Sequence, residues 1–234
     1  SQSHFGSQTF DMPAGATESL VLVDLSSPDF PSVYPLLWTD SPPRELLVTS
    51  IAGFREVIDG TFLVHVAMAG PVKSLDGRTL GVSPSGFEIQ VATAVLRFTD
   101  KGVLRAATQY LNAVGDEEAR LVALTPIEDG SHLVSYTGYS NAMIEVVSDD
   151  LSSEVIAAAP SGGERFRTFL ERRTLAGDLE WRLRLDLDVP SEDFGIASIR
   201  STAVLGDELI LAGWATHPVI ATLKHFIGYG AGAG

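Results

Sequence analysis

The chain has 234 residues, of which 45% are hydrophobic, so it is long enough to bury a full-sized core. Its formal net charge of −14 repels phosphate backbones, which excludes general nucleic-acid binding. There is no cysteine, and this excludes disulfides, thiolate catalysis, Cys-ligated zinc and iron–sulfur clusters.

The apolar runs of the chain are too short for a membrane span. A membrane-spanning helix needs roughly 20 apolar residues, and the longest runs here stay well below that length. The first residues also lack the charged and apolar regions of a signal peptide, so none is predicted in this chain.

The N-terminal part of the chain predicts a series of short strands. Residues 1–19 are polar, with at most one strand around Thr9–Met12. The continuous apolar run Leu20–Leu25 ends at Ser-Ser-Pro-Asp and is typical of a buried strand. In the next predicted strand, Val33–Trp38, Pro35 lacks an N–H, which favours an edge position or a bulge. Strands at Glu45–Ile51 and Thr61–Ala69 follow, separated by a turn at Asp59-Gly60.

Similar strands and turns recur along the chain at intervals of roughly 70 to 76 residues. The corresponding elements are first strands at Val21–Leu25, Ala94–Phe98 and Phe169–Arg173, third strands at Leu46–Ile51, Leu121–Leu124 and Gly195–Ile199, turns at Asp59-Gly60, Asp129-Gly130 and Gly206-Asp207, and fourth strands that open at Leu63, Leu133 and Leu209. This pattern predicts one domain, residues 1–234, with repeat units at about 15–70, 90–140 and 165–216.

Two long connectors and a glycine-rich end complete the chain. The connectors, Pro71–Ala92 and Tyr139–Glu164, contain further strand-like pieces, at Arg78–Val82, Phe87–Val91, Met143–Val147 and Val155–Ala159. Residues 218–234 end in Gly-Tyr-Gly-Ala-Gly-Ala-Gly and indicate a linker or an exchanged strand. No segment sustains the apolar periodicity and caps of a helix, so the predicted class is all-β.

The best copy of the repeat, Phe169–Ala215, combines glycine turns with a tryptophan and an acidic loop, at Gly177, Trp181, Glu192-Asp193, Gly206 and Gly213. The middle copy keeps Gly102, Glu117-Glu118, Gly130 and Gly138, and the first keeps Glu45, Gly60 and Gly70. This unit resembles the β-propeller repeats of bacterial surface and secreted proteins, in particular the seven-bladed-propeller (SBBP) type.

The resemblance implies a β-propeller-like fold of about three four-stranded blades plus partial terminal strands. It also implies a binding or structural role at the bacterial cell surface, in the periplasm or in a secreted assembly, because these repeats carry no common catalytic residues. Three repeats do not close a propeller of usual size. The missing blades would come from another copy, from sequence outside this chain, or be replaced by an open stack.

The histidines and acidic clusters do not form a recognisable cofactor or catalytic site. None of His4, His65, His132, His217 and His225 has the spacing of a zinc site, and we expect His65 and His132 to be structural. The acidic runs at Asp116–Glu118, Asp149-Asp150 and Glu192-Asp193 lack a calcium-loop pattern and are expected in solvated turns. We therefore predict no metal, no cofactor and no catalytic residue.

Arginines are crowded into one part of this acidic chain, at Arg165, Arg167, Arg172, Arg173, Arg182 and Arg184. Arg182 and Arg184 alternate with apolar residues, so one face of a strand would present guanidinium groups. One interpretation is an outward face balanced by cross-strand acids such as Glu171 and Glu180. The other is a docking patch for an acidic partner, formed by Arg165, Arg167, Arg172, Arg182 and Arg184.

These observations predict a non-enzymatic structural or protein-interaction module. Its expected partner is protein, either other copies of itself or a larger assembly. One alternative is a carbohydrate-binding or glycan-active propeller, which as an enzyme would need two carboxylates facing one cleft. Another is a β-sandwich subunit of a filament or capsid, in which unmatched strand edges serve strand exchange.

Overall fold

The computed structural model describes residues 2–5, 8–24, 32–40, 48–56, 59–68, 70–89, 92–112, 120–139, 143–157, 166–187, 197–205, 208–215 and 219–226. Within these ranges the protein is all-β, with 19 strands and no helix, which confirms the predicted class. The strands are β1 (Gln2–Phe5), β2 (Gln8–Asp11), β3 (Glu18–Asp24), β4 (Ser32–Thr39), β5 (Val48–Glu56), β6 (Phe62–Met68), β7 (Val72–Ser74), β8 (Thr79–Leu80), β9 (Ala92–Phe98), β10 (Leu104–Asn112), β11 (Arg120–Pro126), β12 (His132–Tyr139), β13 (Met143–Val147), β14 (Ser153–Ala157), β15 (Phe166–Arg173), β16 (Leu179–Leu187), β17 (Ala197–Leu205), β18 (Glu208–Ala215) and β19 (Val219–Phe226). In this part of the chain no helix is long and apolar enough to cross a membrane.

The strands form three larger antiparallel sheets and two separate hairpins. Sheet I has the order β3-β4-β7-β8, sheet II the order β14-β13-β10-β9-β6-β5, and sheet III the order β11-β12-β15-β16-β19. The hairpins are β1–β2 and β17–β18.

The sheets stack face to face around three apolar clusters. One face of sheet II packs on sheet I, where Val64 and Leu96 meet Leu37. Its other face packs on sheet III, where Leu63, Val95 and Tyr110 meet Tyr136 and Phe169. The far face of sheet III then packs on β17, through Leu133, Leu170 and Ile199. Since sheet II is covered on both faces, its strands β6 and β9 are apolar on both faces.

The same pattern of connections occurs in three successive segments of the chain, β3–β8 in sheet I, β9–β14 in sheet II and β15–β19 in sheet III, apart from the second hairpin of each segment. Each segment begins with a hairpin in one sheet, forms a second hairpin elsewhere, and then returns to the first sheet. In the first segment the second hairpin, β5–β6, joins sheet II, where β6 pairs with β9. In the second segment β11–β12 joins sheet III, where β12 pairs with β15. We call these second hairpins the donated hairpins.

Many predicted strands are confirmed, including Met143–Val147, which is β13. Pro35 lies in an interior strand, and the β3–β4 ladder shifts register beside it, as the bulge interpretation expects. The prediction of a strand at Phe87–Val91 is wrong for residues 87–89, and residues 90 and 91 lie outside the described ranges.

The predicted four-stranded blades do not form as single sheets. In the unit 165–216, β15–β16 belongs to sheet III, β17–β18 is a separate hairpin, and β16 pairs with β19 instead of β17. The prediction of a C-terminal linker or exchanged strand is wrong for residues 219–226, because they form β19 within the sheet of their own chain. Residues 227–234 lie outside the described ranges.

Candidate functional site

The structure places Arg182 inside the protein, although an outward guanidinium face was predicted. Arg182 is 5% exposed, because its face of sheet III is covered by sheet II. The predicted cross-strand acid is confirmed: Arg182 lies opposite Glu171, and its Nε donates a hydrogen bond of 2.6 Å to Glu171 Oε1. Arg182 therefore has an internal partner and is not exposed for docking.

The other arginines of the predicted patch do not join Arg182 on one surface. Arg172 lies on the opposite face of β15 from Glu171, half-buried, and binds Asp129 at 2.5 Å and the predicted acid Glu180 at 2.8 Å. Arg184 is half-buried on β16. Arg165 and the side chain of Arg167 lie outside what the structure describes. Docking of an acidic partner at Arg172 and Arg184 stays a prediction.

A buried charge cluster connects sheets II and III, with the carboxylate of Glu171 at its centre. Glu171 is fully buried, and each of its oxygens accepts one hydrogen bond from a tyrosine and one from an arginine. Tyr110 and Arg173 donate to Oε2 at 2.8 and 2.7 Å, and Tyr136 and Arg182 donate to Oε1 at 2.9 and 2.6 Å. The aromatic rings also stack, since the centroids of Tyr110 and Tyr136 lie 4.6 Å apart.

The electrostatics of this cluster keep Glu171 ionised. Burial alone would raise the pKa of Glu171, but the charges of Arg173 and Arg182 outweigh burial and lower it below the usual value. Burial and the Glu171 charge raise the pKa of Tyr110 and Tyr136, so both hydroxyls remain donors. Because Glu171 and both tyrosines are fully buried, a substrate cannot reach them, and the cluster serves to hold the two sheets together.

An open cleft of about 540 Å³ is one place where a glycosidase pair could lie, since Asp59, Asp100 and Asp149 line it. A glycosidase needs one carboxyl group with a raised pKa as its proton donor. Burial alone would raise the pKa of Asp59, but hydrogen bonds from Thr61 and Arg97 lower it below its usual value. Asp149 is bound by Arg78. Asp59 and Asp149 are therefore each paired with an arginine, and only the lowered pKa of Asp59 argues against a role as proton donor.

The predicted structural histidines are buried. His65 and His132 are 3% and 4% exposed, and burial lowers the pKa of each to about 4. Among the described residues, His132 Nε2 has no hydrogen-bond partner, although a histidine with all its hydrogen bonds satisfied was expected here. Within the described ranges no group of three or more histidine or acidic side chains could hold a metal ion.

Of the acidic clusters, Asp149-Asp150 lies in the turn between β13 and β14, as predicted. Asp150 accepts a hydrogen bond from the backbone N–H of Ser152, which stabilises that turn. Residues 116–118 and 192–193 lie outside the described ranges.

The donated hairpins differ sharply in exposure. In β6 and β12 the residues Leu63, Val64, Leu133 and Val134 are each at most 2% exposed. In β18 the residues Leu209, Ile210 and Leu211 are 37%, 47% and 37% exposed. Leu205, at the tip of the same hairpin, is 68% exposed. The β17–β18 hairpin therefore presents the apolar surface that its counterparts bury, and we take it as the candidate interaction site.

The sequence contained a signal for this site that the arginine argument missed. Glu208–Ala215 is an almost continuous apolar run, as is the buried strand β6, and such a run is typical of a strand covered on both faces. Its exposure in a single copy indicates a missing cover. No family model matches this chain, and searches of the curated proteins and of the solved structures found no significant match.

Proposed function

We propose that this chain is a non-enzymatic structural module that assembles with other copies of itself, as part of a bacterial surface, periplasmic or secreted assembly. One observation carries the proposal: the β17–β18 hairpin exposes apolar side chains at the place where the other two donated hairpins are buried in the next sheet. Assembly would remove this surface from water.

The proposal interprets the three segments as structural repeats of a propeller-like stack. Consecutive sheets pack face to face, as propeller blades do, and a hairpin of the preceding segment completes sheets II and III. Completion of each sheet by its neighbour is a simple basis for association, because another copy provides the same kind of neighbour. The bacterial setting rests on the resemblance of the repeat to SBBP propellers.

A filament or capsid subunit is the related alternative, since the same exposed hairpin would join its copies. A head-to-tail contact closes into a ring if the rotation between copies allows it, and otherwise continues as an open filament. A closed ring gives one discrete mass above a threshold concentration, whereas a filament gives a mass that keeps increasing with concentration.

The test is sedimentation velocity of the purified chain over a wide range of concentrations. We expect association that a single charged substitution in the hairpin, Ile210→Lys, abolishes. The matched control is Leu75→Lys, which changes an apolar residue of similar exposure, 42%, in the β7–β8 turn. A monomer at every concentration would overturn the proposal, and so would association that Ile210→Lys leaves intact.

A further inference from the structure

We infer that β18 of one copy pairs antiparallel with the edge of β3 in a second copy. This inference names the joint of the assembly and rests on the proposed function. The partner surface of the β17–β18 hairpin is then the edge of β3 in sheet I, at the other end of the stack of sheets.

The two strand edges are complementary in position. In sheets II and III the inner strand of the donated hairpin, β6 or β12, lies between its hairpin partner and the first strand of the next segment, β9 or β15. Among the described strands, β18 pairs only with β17, and β3 pairs only with β4. Within its described strands, one chain thus carries a donor strand and an acceptor strand that each have one strand partner, which is the condition for head-to-tail association.

A shared bulge aligns the three donor strands. Counted from the tip of the hairpin, the first register shift follows His65 in β6, Ser135 in β12 and Ala212 in β18. The β5–β6 ladder has a second shift after Ala67. Counting back two residues makes Leu63, Leu133 and Ile210 equivalent, which is one residue later in β18 than the Leu209 of the sequence comparison.

The faces of the strands agree with this alignment. Leu63 and Leu133 point away from the preceding sheet and towards the following one. Thr202 pairs with Leu211, and its hydroxyl lies 2.6 Å from that of Thr125 in sheet III, so this face of the hairpin is turned towards sheet III. Side chains alternate along a strand, so Ile210 points away from sheet III.

The acceptor strands are aligned by the ladders of their own sheets. Ser74 and Ser148 begin equivalent turns, since each accepts a backbone hydrogen bond from the residue three positions later. The residue before each of these serines can be traced through the strand ladders to the acceptor strand. In sheet I, Lys73 pairs with Trp38 and Trp38 pairs with Ser19. In sheet II, Val147 pairs with Gln109 and Gln109 pairs with Ala94. Ser19 is therefore equivalent to Ala94, and three residues further Leu22 is equivalent to Arg97.

These equivalences fix the register of the joint. Leu63 pairs with Arg97 in sheet II, and Leu133 pairs with Arg172 in sheet III. By the same rule Ile210 pairs with Leu22 of the second copy. His65 pairs with Val95, so two residues further along Ala212 pairs with Leu20.

The residues at both open edges differ from those at the internal joints, and the two differences are complementary. At the internal joints an arginine, Arg97 or Arg172, binds an Asp-Gly-Thr or Asp-Gly-Ser turn at the tip of the donated hairpin. At the open edges Leu22 takes the place of the arginine, and the tip of β17–β18 has Leu205-Gly206-Asp207 instead. Loss of the arginine on one edge and of its turn on the other is expected if the two edges meet each other. Leucine and isoleucine then form an apolar contact where the internal joints have an ion pair.

The absence of cysteine makes cross-linking a direct test of this register. Copies with Ile210→Cys are mixed with copies with Leu22→Cys, oxidised, and analysed by non-reducing mass spectrometry. Directly opposed residues on paired strands lie within the Cα distance that a disulfide tolerates, about 4.4–6.8 Å. We expect a cross-linked heterodimer from this mixture. Two controls should give no more cross-linked dimer than background. One is the mixture of Ile210→Cys with Val23→Cys, since the Val23 side chain lies on the other face of β3, and the other is Ile210→Cys alone.

The possible outcomes separate this inference from the proposed function. Cross-linking of Ile210→Cys alone would show two-fold pairing of β18 with itself, which overturns the β3 joint but keeps self-assembly. Association of the wild-type chain without the Ile210–Leu22 cross-link overturns the joint in the same way. A wild-type chain that is monomeric at every concentration overturns both.

Discussion

Arg97 and Arg172 make the same contacts in successive segments of the chain. The Nε of Arg97 donates to the Thr61 hydroxyl at 2.8 Å, and the Nε of Arg172 donates to the Ser131 hydroxyl at 3.2 Å. Each guanidinium also pairs with the aspartate two residues before that hydroxyl, Asp59 or Asp129. Each contact joins a donated hairpin to the first strand of the next segment. Equivalent ion pairs, Arg97–Asp59 and Arg172–Asp129, therefore support the strand register at the two internal joints.

We predict that Arg97→Met destabilises the protein more than Arg172→Met does. The Arg97 side chain is 13% exposed and also donates to the Leu175 carbonyl at 2.6 Å. The Arg172 side chain also has a second partner, Glu180 at 2.8 Å, but it is 32% exposed. Loss of charged hydrogen bonds at the more buried site should lower the free energy of unfolding by about 2–3 kcal/mol. The more exposed site should lose about 1 kcal/mol or less. Urea unfolding of both variants decides the point, and equal losses would contradict the role of burial.

Glu171→Gln should be one of the most destabilising conservative substitutions in the described part of the chain. It keeps the shape of the side chain but leaves Arg173 and Arg182 without their buried carboxylate. Breaking a buried ion pair from one side costs about 3–5 kcal/mol, because an uncompensated charge remains inside the protein. Chemical denaturation followed by tryptophan fluorescence measures the loss.

The control for Glu171→Gln is Lys73→Met, which removes an ion pair at the surface. Lys73 and Asp40 are 2.5 Å apart, but their side chains are 43% and 51% exposed, so water replaces the contact. We expect no change beyond measurement error. A loss from Glu171→Gln as small as that from Lys73→Met would show that the cluster does not hold sheets II and III together.

Stability should fall as the pH is lowered from 6.5 towards 4, because of His65 and His132. The folded pKa of each is lowered from 6.5 to about 4, by burial at His65 and by burial together with the charges of Arg173 and Arg97 at His132, against the opposing charge of Glu171. In this window the unfolded chain binds two protons that the folded chain does not. The free energy of unfolding then decreases by up to about 1.4 kcal/mol per pH unit for each histidine.

Urea midpoints at several pH values between 7.5 and 4.5 test this prediction, with His65→Asn as the matched variant. Asparagine does not titrate, so the slope of stability against pH should fall by about half. Below about pH 4.5 the lowered pKa of Glu171 adds a loss in the same direction. A variant with the slope of the wild-type chain would show that His65 does not stay neutral in the folded protein.

The sequence was sufficient to predict the strands but not their arrangement in sheets. Apolar runs and turn residues are local signals, and Pro35 even marked the bulge in β4. Whether β16 pairs with β17 or with β19 depends on the stacking of whole sheets, which local periodicity does not contain. For this reason many strands were predicted and the four-stranded blades were not. The hairpin β1–β2 was also missed, since at most one strand was expected in residues 1–19.

The same distinction explains the arginine face. Alternation of Arg182 and Arg184 with apolar residues shows that β16 has two different faces, but not which of them another sheet covers. Glu171 was among the acids expected opposite the arginines, and it does lie opposite Arg182, because hairpin register is a local property. Tyr110, which also binds Glu171, could not be predicted in this way. It comes from sheet II, and no local sequence pattern relates it to β15.

Gly81 should be the least replaceable of the glycines with a positive φ. An added Cβ there would lie 2.8 Å from the Gly70 carbonyl oxygen, a backbone atom that cannot move aside, and φ is +77°. Gly86 has a similar φ of +79° but open space around it, so Gly86→Ala is a matched control for backbone strain alone. We expect about 1–2 kcal/mol for Gly86→Ala and a clearly larger loss for Gly81→Ala, because steric overlap adds to the strain. Thermal unfolding of both variants compares them directly, and equal losses would mean that the backbone around Gly70 relaxes to accept the methyl group.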